Sequence, residues 1–237
     1  MDLLNIGLGM SMDSTYILIA IGAIISMIAS WNVKNTFNKY SSVGNSRGLS
    51  AQDVAQSILI SAGINDVRIE RIRGELTDHY SPTEKVLRLS ETVYGSTSVA
   101  ALGVAAHECG HAIQHKIGYI PLGLRNVAVP LANFGSKLSW PVILIGLAMG
   151  YNGLAQIGVL LFLGVVFFQL ITLPVEFNAS SRALQILEKD SILSGNELSS
   201  AKSVLTAAAL TYVAAMINSV LQLLRLIMIA NRGNRRR

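Results

Sequence analysis

Charge and cysteine are what this 237-residue chain has least of. Only 14% of its residues are charged, where a soluble domain carries about 25%, so an ordinary water-soluble globule is a poor reading. With 51% hydrophobic residues it is equally far from the polar composition of a disordered chain. The single cysteine, Cys109, excludes an internal disulfide framework and fits a reducing compartment. Acids are missing from the end: the last thirteen residues hold Arg225, Arg232, Arg235, Arg236 and Arg237 and no Asp or Glu. These five account for the whole net charge of +5, and the other fourteen basic and fourteen acidic residues cancel. No nucleic-acid partner is expected.

The missing charge is concentrated in three runs. Ser14 to Val33 is uncharged over twenty residues, which at about 1.5 Å per residue match the 30 Å of a bilayer core. Its flank carries Asp2 and Asp13 rather than basic residues and no cleavage site follows, so it reads as a retained anchor over 14–33 and not a signal peptide. Ser139 to Val175 is uncharged over thirty-seven residues, too long for one span, and Gly150-Tyr151-Asn152-Gly153 supplies turn chemistry near its middle. A transmembrane helical hairpin over 138–173 is expected. The third run, Ser203 to Leu224, contains Thr206, Thr211, Asn218, Ser219 and Gln222 and fits either a span or a helix packed in protein. Basic residues favour the cytoplasmic side, and Lys34, Lys39 and Arg47 follow the anchor with no acid before Asp53, which puts 34–137 in the cytoplasm. By the same bias the arginine-rich tail 231–237 belongs inside, so the late helix over 203–230 is expected to begin in the catalytic domain and end at the cytoplasmic face, with its arginines on anionic headgroups.

Residues 34–137 have enough polar sequence for one small domain. Ser50-Ala51-Gln52-Asp53 is a helix-opening signature and Gly63 a stop. Val67 to Ile72 alternates apolar and charged residues, and Leu76 to Tyr80 and Val86 to Ser90 flank a Ser81-Pro82 turn, giving a short antiparallel sheet. Ser96 or Ser98 then caps a helix through Gln114 that stops at Gly118 and Pro121.

That helix carries His107-Glu108-Cys109-Gly110-His111. Histidines four apart share one helical face and can reach one ion, while the glutamate between them projects beside it as a general base. Zn²⁺ bound by three protein ligands keeps an open position and activates water, the chemistry of amide hydrolysis. The competing explanation is a chance pattern of buried histidines. Context weighs against it, because three of the four histidines fall within nine residues on one helix, among small Ala105, Ala106 and Gly110. His115 lies about 12 Å along the axis from His107 and cannot share the ion with it. A carboxylate from another helix is needed, and Glu176, after Pro174, is the candidate: two spans between His111 and Glu176 return the chain to the same side.

The motifs Leu76-Thr77-Asp78-His79-Tyr80, Arg88-Leu89-Ser90, Ala105 to His115, Asn133-Phe134-Gly135 and Leu173 to Ser180 resemble those of the bacterial YugP-like membrane zinc metallopeptidases, over nearly the whole chain. The resemblance implies an α+β, gluzincin-type catalytic domain with integral membrane helices, one Zn²⁺ per chain held by His107, His111 and Glu176, and Glu108 as base. The chain is more distantly similar to HtpX-like proteases, whose second motif has an aspartate four residues after the ligand glutamate; here that position is Ser180, so the aspartate's role does not transfer. His79, Tyr80 and Tyr212 are candidates for binding a substrate backbone or an oxyanion. Trp31 and Trp140 read as interfacial anchors. The expected function is a membrane-anchored zinc endopeptidase acting on membrane or membrane-proximal proteins, with catalytic residues from 34–137 and 174–202; the alternative is a non-enzymatic zinc-containing scaffold or a regulator of a membrane-protein partner.

Overall fold

The computed structural model describes residues 15–235, with side chains through Asn231; the flank at Asp2 and Asp13 and the tail arginines from Arg232 on lie outside the described residues or side chains. The chain is α+β, with six helices and one small sheet among the described residues. Helix α1 (Tyr16–Ser41) takes in the first apolar run, and Ile17, Ile21, Ile24, Met27 and Ile28 face outward from it. Ser50 caps α2 (Ala51–Ser61) by accepting from the Asp53 amide, as the capping signature requires. Strands β1 (Arg68–Ile72), β2 (His79–Ser81) and β3 (Val86–Ser90) follow, then α3 (Val99–Lys116), whose first turn is capped by Ser98. The hairpin is α4 (Ile120–Ala148) and α5 (Asn152–Lys189), and α6 (Gly195–Arg235) closes the chain.

The sheet is mixed, where an antiparallel one is expected from sequence. Its order is β1-β3-β2, with β2 antiparallel and β1 parallel to β3. Burial explains the order. Val86, Leu87 and Leu89 make β3 the apolar strand and it takes the centre, while charged β1 is left at one edge and short β2 at the other. Behind the sheet, Leu59, Leu87, Leu89, Leu102, Leu187 and Leu193 are fully buried in a core built from α2, β3, α3, the end of α5 and the segment leading into α6. Each such side chain contributes about 1.5–3 kcal/mol.

Four helices, α1, α4, α5 and α6, are long and apolar enough to cross a membrane. The hairpin extends back to Ile120, well before the long uncharged run that follows Lys137, and α5 runs through Pro174 without interruption, so Glu176 lies inside a helix and not at its N-terminus. The hairpin arms meet at glycines: a methyl on Gly135 would lie 2.4 Å from the Leu161 carbonyl and one on Gly146 2.6 Å from the Ala155 nitrogen. This is the small-residue packing by which helices associate in lipid.

The late helix, α6, is continuous over 41 residues and runs antiparallel along α1: Tyr212 and Val33 line one cavity, Asn218 fills the space over Gly22, and Arg225 lies on the ring of Tyr16. Arg225 is therefore not a headgroup clamp. It is 7% exposed and its guanidinium is sandwiched between Tyr16 and Trp140, at 4.9 and 4.7 Å from the ring centroids. Trp140, expected as a free interfacial anchor, is one wall of that sandwich.

Helices α3 and α5 cross at Gly110, where an added methyl would stand 2.7 Å from the Ala179 carbonyl oxygen and 3.2 Å from the Ala179 Cα. Only backbone is there to give way. Gly110→Ala should cost about 1–3 kcal/mol through overpacking, more than the roughly 1 kcal/mol gained in helix propensity. Thermal unfolding in detergent checks this, and an unchanged or raised Tm would show that the crossing is not held this close.

Candidate metal centre

The Gly110 crossing puts Glu176 of α5 against the histidine face of α3. The two imidazoles are one turn apart, their ring centroids separated by 4.7 Å, and both Nε2 atoms approach Glu176 Oε2, His107 at 3.3 Å and His111 at 3.5 Å. One donor atom from each of the three residues lies within 4.8 Å of the others. Glu176 is 2% exposed and His111 9%.

A set of hydrogen bonds behind the imidazoles fixes how they face. Gln114 Nε2 donates to the Val175 carbonyl at 2.8 Å and to Asn178 Oδ1 at 3.0 Å, so its amide oxygen is the atom turned toward His111 Nδ1, 3.0 Å away. An acceptor at Nδ1 requires a proton there and leaves the Nε2 lone pair pointing at Glu176. Asn178 Oδ1 is held in turn by Arg182 Nε at 2.8 Å. His107 Nδ1 meets Ser180 Oγ at 3.1 Å. Ser180 thus occupies, as a neutral hydroxyl, the position behind the first histidine.

These atoms fit a metal ion. Glu176 Oε2 is fully buried without a well-formed hydrogen bond and faces two ring nitrogens, of which Nε2 of His111 turns its lone pair on the carboxylate, an arrangement that a cation between them relieves. The spacing agrees as well: ligands about 2.0–2.1 Å from a tetrahedral Zn²⁺ are about 3.3 Å apart. The other oxygen of Glu176, Oε1, is taken by Arg125 Nη1 of α4 at 3.3 Å, which leaves Oε2 as the inward atom.

Glu108, 7% exposed, does not join this cluster and opens instead onto space. Two cavities of about 230 and 240 Å³ share Asp78, Glu108, Glu176 and Tyr212 on their walls. The first adds His107 and Ser180 and is otherwise mostly apolar, through Val33, Leu76, Val104, Leu205 and Ala208; the second is more polar, through His79, Tyr80, Arg125 and Asn126. Of the weaker sequence candidates, Tyr212 and His79 stand at the cavity. Tyr80 lines it too, but its hydroxyl is engaged at 2.9 Å by Nδ1 of His115, which stays outside the cluster. Cys109 faces the opposite way against the Ala55 carbonyl, and burial pushes its thiol pKa up, so it is an inert core side chain.

Sequence reading missed Asp78 and Arg125 as site residues. Asp78 accepts from the Ser90 amide at 2.7 Å and the Ser90 hydroxyl at 2.9 Å, which ties the loop before β2 to the end of β3. Burial raises its carboxyl pKa against those bonds, and the nearby Glu108 charge adds to the rise. Its place in a quoted motif was the available signal. Arg125 had none, since only the folding of α4 onto α5 brings it to Glu176. Gln114→Leu should weaken Zn²⁺ affinity by about 10- to 100-fold by freeing the His111 ring; chelator competition measures this, and unchanged affinity would mean that the Gln114 bond does not orient a ligand.

Comparison with known proteins agrees with this centre. A family pattern described as "Putative neutral zinc metallopeptidase" matches residues 15–231. The chain is 47% identical over 219 residues to a Bacillus subtilis (strain 168) protein named "Putative membrane protease YugP", covering 92% of this chain and 97% of that one. No solved structure matches. The α+β fold, the apolar helices and the clustered His107, His111 and Glu176 stand together with a family match over nearly the whole chain, and the protein belongs to the neutral zinc metallopeptidase family.

Proposed function

We propose that the protein is a multi-pass membrane zinc endopeptidase, with one Zn²⁺ per chain held by His107, His111 and Glu176, that cleaves membrane or membrane-proximal proteins at the cytoplasmic face. The observation that carries this reading is the division of labour on α3: two imidazoles converge on a buried carboxylate oxygen while Glu108, between them, faces a cavity. A site used only for folding has no need of a base at an open cavity.

Zinc bound there supplies Lewis acidity, polarising a carbonyl and making water acidic enough to lose a proton near neutral pH. With the ion held there, Glu108 would accept a proton from the attacking water at its carboxylate and return it to the leaving amine. Tyr212 and His79, across the cavity, are donors for the developing oxyanion. The outer edge of β2, unpaired in the sheet, offers backbone groups along which an extended substrate can lie.

The level of the site relative to the bilayer follows from charge. Val33 ends the first uncharged run and lines the apolar cavity, and Glu176 is the first charged residue after the second run. Lys34, Lys39, Arg47, Lys116, Arg182, Lys189 and Lys202 flank the ends of the apolar helices on this side, which supports a cytoplasmic site.

Glu108→Gln should abolish cleavage of casein or a membrane peptide while zinc content stays at one per chain; surviving cleavage in purified protein would remove Glu108 as the base. Glu176→Ala should lower the zinc content measured in the same preparations, and unchanged stoichiometry would take Glu176 out of the ligand set. A cysteine placed at Asp190 should react with impermeant maleimide only in inverted vesicles; labelling in intact cells would reverse the orientation.

A further inference from the structure

Helix α4 carries a polar line on the face that α5 leaves uncovered. Asn126, Asn133 and Lys137 recur at spacings of seven and four, which puts them on one side of the helix, and all three are exposed. The opposite side, Ala128, Ala132, Gly135 and Ser139, is buried against the hairpin partner. Lys137 is twelve residues, about 18 Å, along α4 from Arg125 and hence from the metal centre. Gly135 beside it abuts the Leu161 carbonyl, close to the middle of the uncharged stretch of α5 that ends at Val175. Past Lys137 the surface stays apolar toward the hairpin tip, with Leu144, Ile145, Ile157 and Leu160 all exposed. With the hairpin in a bilayer, Lys137 lies near its midplane.

An ammonium at that depth is unfavourable without a partner. Among the described residues Lys137 has no acid within ion-pair distance. Lipid phosphates are about 15 Å away, half the thickness of the hydrocarbon core. A second copy of this chain does not answer the need either, because the runs 14–33, 139–175 and 203–224 contain no Asp or Glu. The partner is therefore a membrane helix from another protein, carrying the opposite charge. The line also leads somewhere: Asn126, at its other end, lines the cavity that holds Glu108.

We propose that the Asn126–Asn133–Lys137 face of α4 docks the transmembrane helix of the substrate, a helix with a carboxylate near the bilayer midplane, and so delivers the adjoining juxtamembrane segment to Glu108. This rests on the membrane-protease reading and names the substrate class. The amides of Asn126 and Asn133 supply further interhelical hydrogen bonds along the contact.

The test uses full-length Glu108→Gln protein in phosphatidylcholine vesicles, with synthetic single-span Leu/Ala helices that share one cytoplasmic tail and differ only in a central Glu or Leu. Energy transfer between labelled protein and helix should show the Glu helix binding about tenfold more tightly, the advantage vanishing when Lys137→Leu is added. Equal binding of the two helices, an advantage that survives Lys137→Leu, or Lys137-dependent energy transfer between two labelled copies of the protein would overturn the proposal. The wild-type protein separates the two levels of the argument. Cleavage of both tails with equal kcat/KM sinks the docking surface alone, and a Glu advantage in binding with neither tail cleaved sinks the substrate assignment together with the protease reading.

Discussion

Everything in this molecule that resembles chemistry depends on two helices being allowed to touch. At Gly110 the backbones of α3 and α5 come so close that no side chain fits, and the contact brings Glu176 within reach of both imidazoles. The approach also sets the supporting hydrogen bonds. Ser180 reaches His107, and Gln114, bonded to His111 within α3, reaches the Val175 carbonyl, across this interface. Arg125 then fastens the outer oxygen of Glu176 from a third helix. The soluble core behind the sheet fixes α3, the membrane hairpin fixes α5, and the centre lies at the seam.

Much of the centre was readable in the sequence because its signal is local. Two histidines at helical spacing with a glutamate between them carry their geometry with them, and Glu176 followed from counting spans. What surrounds them was not readable. Ser180, Gln114, Asn178 and Arg125 are common residues in ordinary helices, and they acquire roles only from which helix faces which. The sheet shows the same limit: alternation located three strands, but the central place of β3 came from the depth at which Val86, Leu87 and Leu89 are buried. A count of tail arginines treats all of them as free charges, whereas Arg225 spends its charge on the rings of Tyr16 and Trp140.

The four long apolar helices do more than present an apolar surface: each turns something toward the His107–His111–Glu176 cluster and its cavities, Val33 from α1, Arg125 from α4, Glu176 from α5 and Tyr212 from α6. The apolar and polar cavities are accordingly walled by spans on one side and by α3 and the sheet on the other. Ser180 in place of a carboxylate keeps the surroundings of His107 neutral, so the negative charge nearest the centre comes from Glu176, Glu108 and Asp78.

The hairpin between His111 and Glu176 also orders events in the life of the chain. His107, Glu108 and His111 emerge from the ribosome first, on a helix packed in the core behind the sheet, but Arg125 and Glu176 follow on the two long apolar helices of the hairpin. A chain whose hairpin has not formed has an incomplete cluster and nothing to bring its halves together. Folding of the hairpin is thus the step that completes the cluster, and the route of the backbone ties its formation to the assembly of the long apolar helices.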